Sequence, residues 1–490
     1  MDEELLLTRI LAGIEGGDDE SDYHELVTDL KSLLDTDDDE ILNRFYGSLS
    51  SMASSFLRCI SAAMDSPVES GRLAILASDA YLSLLLSTNC PVFTFFSPIA
   101  FLSLLGSIRR YLKRRDDSAG QGSNSQREKG NKKKRGRGKR NLGYEDGEET
   151  EEGGFDAKLM FIVLEKLGSV LSFVHLDRFP DSLKSLVQTV SEIPLLALEH
   201  SGVLNYDRLM EMCGKILGGV LNSDHGDMAL TAAEISKSLT PLLLMGKHQA
   251  RSFALGFVSR KLMSLAKDNP ELKKVVSNLP KFLVHKAPEK AEPRGFAVEA
   301  VLEIVKAMEV EGQSEFVDFV MKMCQGKSNF RVLAVDIIPL LISSLGNPLG
   351  DISSENGLKD SWGLGCIDAL VQRCSDTSAL IRARALSNLA QVVEFLSGDE
   401  RSRSILKQAL GFNGETSEGK GAVTDLLKKR CVDEKAAVRR AALLLVTKLT
   451  SLMGGCFDGS ILKTMGTSCS DPLISIRKAA VSAISEVCFL

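Results

Sequence analysis

The sequence predicts an all-α chain: an α-solenoid of two-helix repeats interrupted by one disordered charged insert. Three observations lead there. Apolar residues recur at i, i+3, i+4 and i+7 over stretches of roughly 10 to 18 residues, the spacing that places them on one helix face. Short Gly, Pro, Asp, Asn or Ser clusters separate those stretches, as turns do. Near the C-terminal end a short pattern recurs three times without gaps. Sustained β-type alternation is lacking, so an α/β reading has nothing to stand on.

At 490 residues the chain exceeds the roughly 250 to 300 at which a single hydrophobic core stops growing, so it must split or repeat. With 44% hydrophobic and 25% charged residues it has the balance of a soluble globular protein. Its ten cysteines include no CxxC pair and no dense framework, which points to a reducing compartment and buried thiols. The N-terminus begins Met1-Asp-Glu-Glu, acidic where a secretory signal is basic, so the cytosol or nucleus is expected.

From Ala80 to Ile108 no residue is charged, and Arg109, Arg110, Lys113, Arg114 and Arg115 follow, the flank a membrane span would carry. Asn89, Pro91 and Pro98 nevertheless cut the stretch into pieces too short to cross ~30 Å of hydrocarbon as one helix. Two buried solenoid helices joined near Pro91 are expected rather than a membrane-associated form.

Between Lys113 and Arg140 there are twelve Lys or Arg against three acids, and six acids follow between Glu145 and Glu152. Such a Gly/Ser-rich, aromatic-poor stretch cannot bury enough apolar surface to offset the entropy of ordering. The expected division is an N-terminal helical block at 1–114, a disordered basic-then-acidic linker at 115–154, and a repeat solenoid at 155–490, clearest over 366–490. Because the whole chain carries −6 at pH 7, any affinity for polyanions should concentrate in the linker. Its run Lys132, Lys133, Lys134, Arg135, Arg137, Lys139 and Arg140 has the form of a nuclear-import signal or a phosphate-binding arm. No aromatic interleaves it, so base stacking is not expected.

The three repeats align as Cys374-Ser-Asp376 with Ile381-Arg382-x-x-Ala385, Cys431-Val-Asp433 with Val438-Arg439-x-x-Ala442, and Cys469-Ser-Asp471 with Ile476-Arg477-x-x-Ala480. Each holds Asp and Arg six residues apart. Weaker echoes at Arg331, Arg294 and Arg251 extend the pattern upstream, with successive Arg intervals of 43, 37, 51, 57 and 38 residues. The 57-residue interval contains the Gly-rich stretch 411–421.

In the second copy a helix over 423–430 should end at Cys431, with the Asp433 carboxylate accepting backbone N–H groups at the start of the next helix. Val438, Ala442, Leu445, Val446 and Leu449 then share one face. Arg439 can reach an Asp of its own or a neighbouring turn, so Asp376, Arg382, Asp433, Arg439, Asp471 and Arg477 are expected to form a structural ladder. Arg384, Arg440 and Lys478 lie one or two positions past the ladder arginines and point elsewhere, which makes them the candidates for binding partners.

This pattern resembles the HEAT repeat family, in which a turn Asp and a second-helix Arg six residues later are characteristic. The run Cys374-Ser-Asp-Thr-Ser-Ala-Leu-Ile-Arg-Ala-Arg-Ala-Leu-Ser-Asn-Leu-Ala390 further resembles the signature of the D-type HEAT subunits of condensin complexes, the condensin II type most of all. That resemblance implies a non-catalytic scaffold in the nucleus and on chromosomes. It would bind kleisin and SMC subunits, contact DNA and chromatin, and serve mitotic chromosome condensation. D-type subunits are usually far longer, and Leu490 falls within an apolar helical pattern (Ile476, Ala480, Ile484, Val487) without a polar cap. An N-terminal portion of a longer subunit is therefore expected.

No catalytic, cofactor or metal site is expected. His24, His175, His200, His225, His248 and His285 show no ligand spacing. Gly326-Lys327-Ser328 resembles the end of a phosphate-binding loop, but Met321 stands where its first glycine belongs, and the preceding stretch reads as helix. An importin-like transport or assembly adaptor, or a membrane-associated helical protein, is the alternative function; no small-molecule substrate is expected.

Overall fold

The computed structural model describes residues 3–16, 20–36, 38–67, 71–87, 90–113, 155–200, 205–350, 361–412, 417–454 and 459–488. Among the described residues there is no strand; they form helices and the turns between them. The basic run 132–140 and the rest of 114–154 lie outside them. Contacts divide the chain into two compact units, Met1–Leu239 and Thr240–Leu490.

In the first unit the helix Gly71–Leu86 is buried on nearly all sides. It packs against helices Glu20–Leu34, Ala53–Met64, Pro98–Lys113 and Ala157–Val170. Its apolar composition drives that burial, but one charge goes in with it: Asp79 is fully enclosed. Two lysines compensate, Lys31 Nζ at 2.8 Å from one carboxylate oxygen and Lys166 Nζ at 2.5 Å from the other. Beside them Ser78 Oγ and Ser107 Oγ share a 2.6 Å hydrogen bond.

The uncharged stretch 80–108 resolves into the end of that helix, the single turn Val92–Phe95 and the helix Pro98–Lys113. Tyr81 fastens the corner, its hydroxyl donating to the Phe95 carbonyl at 3.0 Å and accepting from the Ser97 amide at 3.2 Å. Two buried helices joined near Pro91 are what the sequence leads one to expect; the short helix between them is an addition. No described helix is long and apolar enough to cross a membrane.

The second unit is a two-layer stack. Helices Val310–Met323, Trp362–Arg373, Ser417–Cys431 and Gly459–Ser468 are the first members of successive pairs. Helices Ser328–Ser344, Ala379–Leu396, Ala436–Met453 and Ile474–Cys488 are the second, and each of these packs on the next. Val438, Ala442, Leu445, Val446 and Leu449 are all buried, as their common face requires.

Two expectations need adjustment. The long Arg382-to-Arg439 interval contains an extra helix, Glu400–Ala409, capped by the Asp399 carboxylate on the Ser402 amide, in addition to the Gly-rich stretch. The helix expected over 423–430 starts earlier and covers Ser417–Cys431. Gly326-Lys327-Ser328 is an inter-helix turn: Lys327 precedes the helix Ser328–Ser344, and the Gly326 carbonyl accepts from Arg331 Nη1 at 2.8 Å.

Candidate interaction face of the C-terminal repeats

Each repeat turn is organised by its aspartate. Asp376 Oδ1 accepts the Ser378 amide at 2.9 Å, Asp433 Oδ1 the Lys435 amide at 3.1 Å, and Asp471 Oδ1 the Leu473 amide at 2.9 Å. These bonds satisfy donors at the helix start that would otherwise lack partners.

Arg382 and Arg439 each face two ways. With Nη1, Arg382 donates to the carbonyls of its own turn, Asp376 at 3.0 Å and Thr377 at 3.1 Å. With Nε and Nη2 it takes both carboxylate oxygens of Asp433 in the following repeat, at 3.0 Å each. Arg439 repeats this with the Asp433 carbonyl at 2.9 Å and with Asp471 at 2.7 and 3.1 Å. Arg331 does the same one step earlier, reaching Asp376 at 2.7 and 3.0 Å. The planar guanidinium fork suits this bidentate contact.

Three partners were not singled out from sequence. Arg373 and Arg430, three residues before Asp376 and Asp433, add a second guanidinium to each carboxylate, at 3.2 and 2.8 Å. The corresponding position before Asp471 is Ser468. Asp336 is the third. The turn before the helix Ser328–Ser344 has no aspartate, and Arg294 instead pairs with Asp336 on that helix at 3.1 Å.

Burial pushes the Asp433 carboxyl up, yet the hydrogen bonds from Arg382, the Lys435 amide and Arg430 outweigh it and hold the group below the ordinary aspartate value. Asp376 is likewise pushed up by burial and brought below that value by Arg331, the Ser378 amide and Arg373.

The three cations expected to meet partners divide. Arg384 is tied to an internal partner: its Nη1 lies 2.6 Å from Asp336 Oδ1, in the same network as Arg294. Its position on the helix points it away from Asp433 but toward the preceding repeat. Arg440 and Lys478 are exposed and make no ion pair among the described residues. Arg440 lies with Arg384, Ser387, Leu444, Lys448 and Ser482 along a groove of about 630 Å³. Alanines and serines at its floor, including Ala441 and Ala483, leave this depth between helices. Lys478 lines a neighbouring recess of about 540 Å³ with Ile474, Arg477 and Val481. No His/Cys/Asp/Glu cluster suited to a metal ion occurs among the described residues.

Paired helices in two layers, cross-linked by turn aspartates and second-helix arginines, define the class: an α-solenoid of HEAT-type repeats. No family model matches the chain. In an alignment 398 positions long that covers 67% of this chain, it is 24% identical to condensin-2 complex subunit D3-L of Xenopus laevis. It spans about a quarter of that relative, 26%. Among solved structures it is similar to one of the Pds5–Scc1 complex, at TM-score 0.42 and 14% identity over 99% of this chain and 67% of that one. A structure of Kap95p with RanGDP gives TM-score 0.38 and 9% identity over 99% and 56%. At those scores neither structure assigns a role.

Proposed function

We propose that the chain is a non-catalytic scaffold of a condensin II-type complex, binding kleisin and SMC subunits and chromatin to support mitotic chromosome condensation in the nucleus. The observation that carries this reading is the 398-position alignment with a condensin-2 D3-type subunit. The Cys374–Ala390 run supports it, because it supplies the Asp376 turn and the ladder helix of Arg382.

Exposed Arg440 and Lys478 on second helices give the scaffold a cationic face for acidic segments or phosphates, and the run Lys132–Arg140 gives it a polyanion-binding or nuclear-import arm. Any ATP hydrolysis in the assembly would then belong to partner subunits. Affinity purification from mitotic cells tests the reading. Stoichiometric recovery of a kleisin and an SMC pair supports it; recovery of transport cargo with a small GTPase would replace it with the importin-like adaptor.

A further inference from the structure

At the turns inside the repeats of the second unit, one local preference is broken again and again. The residue that opens a helix is ordinarily Ser, Thr, Asp or Asn, whose oxygen accepts an orphan amide, and the helix dipole disfavours a cation there. Here Lys247, Lys290, Lys327 and Lys435 open second helices that begin at His248, Ala291, Ser328 and Ala436. None of these side chains caps its helix, because an ammonium has no acceptor to offer. All four are exposed, and none makes an ion pair among the described residues. In this run of five helices the exception is Ser378, ahead of Ala379–Leu396. A local rule broken repeatedly at one structural position, with no gain in folding, is the mark of a functional surface.

The arginines hold these turns in line. Arg294 anchors the Lys290 turn through the Glu289 carbonyl at 2.8 Å, and Arg331 anchors the Lys327 turn through the Gly326 carbonyl at 2.8 Å. Arg331 then reaches Asp376 in the Ser378 turn, and Arg382 reaches Asp433 in the Lys435 turn. Packed helices stand about 8–10 Å apart, so the lysine positions follow one another along a single edge at that interval, with one double step at Ser378. Two rungs beneath them are themselves positive. Asp376 faces Arg331 and Arg373, and Asp433 faces Arg382 and Arg430, two guanidiniums to one carboxylate in each case.

We propose that this turn edge, from Lys247 to Lys435, binds an extended acidic segment of a partner polypeptide that carries a carboxylate at every third residue. An extended chain advances about 3.3 Å per residue, so three residues cover about 10 Å, the interval between neighbouring helices. The sign of the edge selects an anion, and its interval selects spaced carboxylates. Duplex DNA, with one charge per ~1.7 Å of axis, would set phosphates against Glu289 and Glu434, exposed acids beside Lys290 and Lys435. A segment with spaced carboxylates passes those acids with neutral residues and meets the lysines. The site does not depend on which complex the scaffold joins.

The probe is a fluorescent peptide of about fifteen residues repeating Glu-Ser-Gly, long enough to follow the edge. Its host is the full chain with alanine at the seven basic residues of the 132–140 run, which removes a competing polyanion arm. Fluorescence anisotropy should show saturable binding that weakens with added salt. A peptide of the same composition with its glutamates contiguous should bind at least fivefold more weakly. Lys247→Gln/Lys290→Gln/Lys327→Gln/Lys435→Gln should weaken binding of the spaced peptide at least tenfold while the melting temperature holds, since all four side chains are exposed. The same change at Lys261, Lys267, Lys274 and Lys322, exposed cations elsewhere in this unit, should leave binding within twofold. No binding, equal losses in the two quadruple variants, equal affinity for the contiguous peptide, or displacement by duplex DNA at lower concentration than by unlabelled peptide would each overturn the proposal.

Discussion

Arg382 and Asp433, 51 residues apart in sequence, meet edge to edge, with Nε and Nη2 of the guanidinium each 3.0 Å from a carboxylate oxygen. Both side chains are nearly enclosed, and the same guanidinium anchors its own turn through Nη1. One residue thus fixes the conformation of one turn and the position of the next repeat.

Arg382→Ala should therefore cost about 1–3 kcal/mol, because it strips a bidentate partner from a buried carboxylate that keeps Arg430 and the Lys435 amide. Urea denaturation gives the size. Hydrogen exchange should place the loosening in helices Ala379–Leu396 and Ala436–Met453 and leave the first unit unchanged, as nearest-neighbour coupling requires. Equal loosening of both units would contradict a local ladder.

The fully enclosed Asp79 is the counterpart in the first unit. Asp79→Ala leaves Lys31 and Lys166 without their shared carboxylate beside an apolar core, a change expected to cost about 3–5 kcal/mol. Exchange should accelerate in helices Gly71–Leu86 and Ala157–Val170. A loss below about 1 kcal/mol would show that the two lysines reach solvent unaided.

Acid should act on the two units in different ranges. Burial lowers the His225 pKa, the neighbouring His175 lowers it further, and Asp224 only partly offsets them. The folded state thus holds His225 neutral, its Nδ1 accepting the Leu176 amide at 3.3 Å. An unfolded histidine titrates near pH 6.5, so this contribution is complete above that value and is lost as pH falls toward the lower folded pKa. Asp376 and Asp433 are lowered carboxylates, so their contribution persists until pH falls below about 4. Exchange near Leu171–Phe179 should rise between pH 6.5 and 5 while the ladder helices stay protected. Ladder opening at pH 5.5 would count against it.

Much of the second unit was legible in the sequence because its signals are local. The six-residue Asp-to-Arg spacing and the Val438-to-Leu449 stripe each fit within one helix and its turn. Arg373 and Arg430 were visible too, but a cation at a helix C-terminus has an ordinary explanation in the helix dipole, which hides its bond to the turn aspartate. Arg384 could not be assigned from spacing: its partner Asp336 is 48 residues away on the preceding repeat. The helix Glu400–Ala409 escaped because only Leu406 in it is buried, too little apolar content to show a period.

With Arg384 paired to Asp336, the unpaired cations of the proposed binding face are Arg440 and Lys478. If that face binds acidic segments or phosphates, the double variant Arg440→Glu/Lys478→Glu should melt within a degree or two of the parent, as exposed substitutions do, yet bind such a ligand at least tenfold more weakly. Arg384→Glu should instead destabilise the chain by setting like charges against each other at Asp336. Thermal melts and a partner-binding titration of the two variants separate these outcomes.

Alanine at Lys132, Lys133, Lys134, Arg135, Arg137, Lys139 and Arg140 together should leave the melting temperature unchanged and weaken salt-sensitive DNA binding or nuclear accumulation. Retention of both would make the run a bystander.

Direct assembly is the decisive measurement. The purified chain, mixed with the kleisin and SMC subunits of a condensin II complex and resolved by size-exclusion chromatography with light scattering, should co-elute as a one-to-one scaffold–kleisin assembly. Elution as separate species, with the chain folded and helical by circular dichroism, would contradict the account.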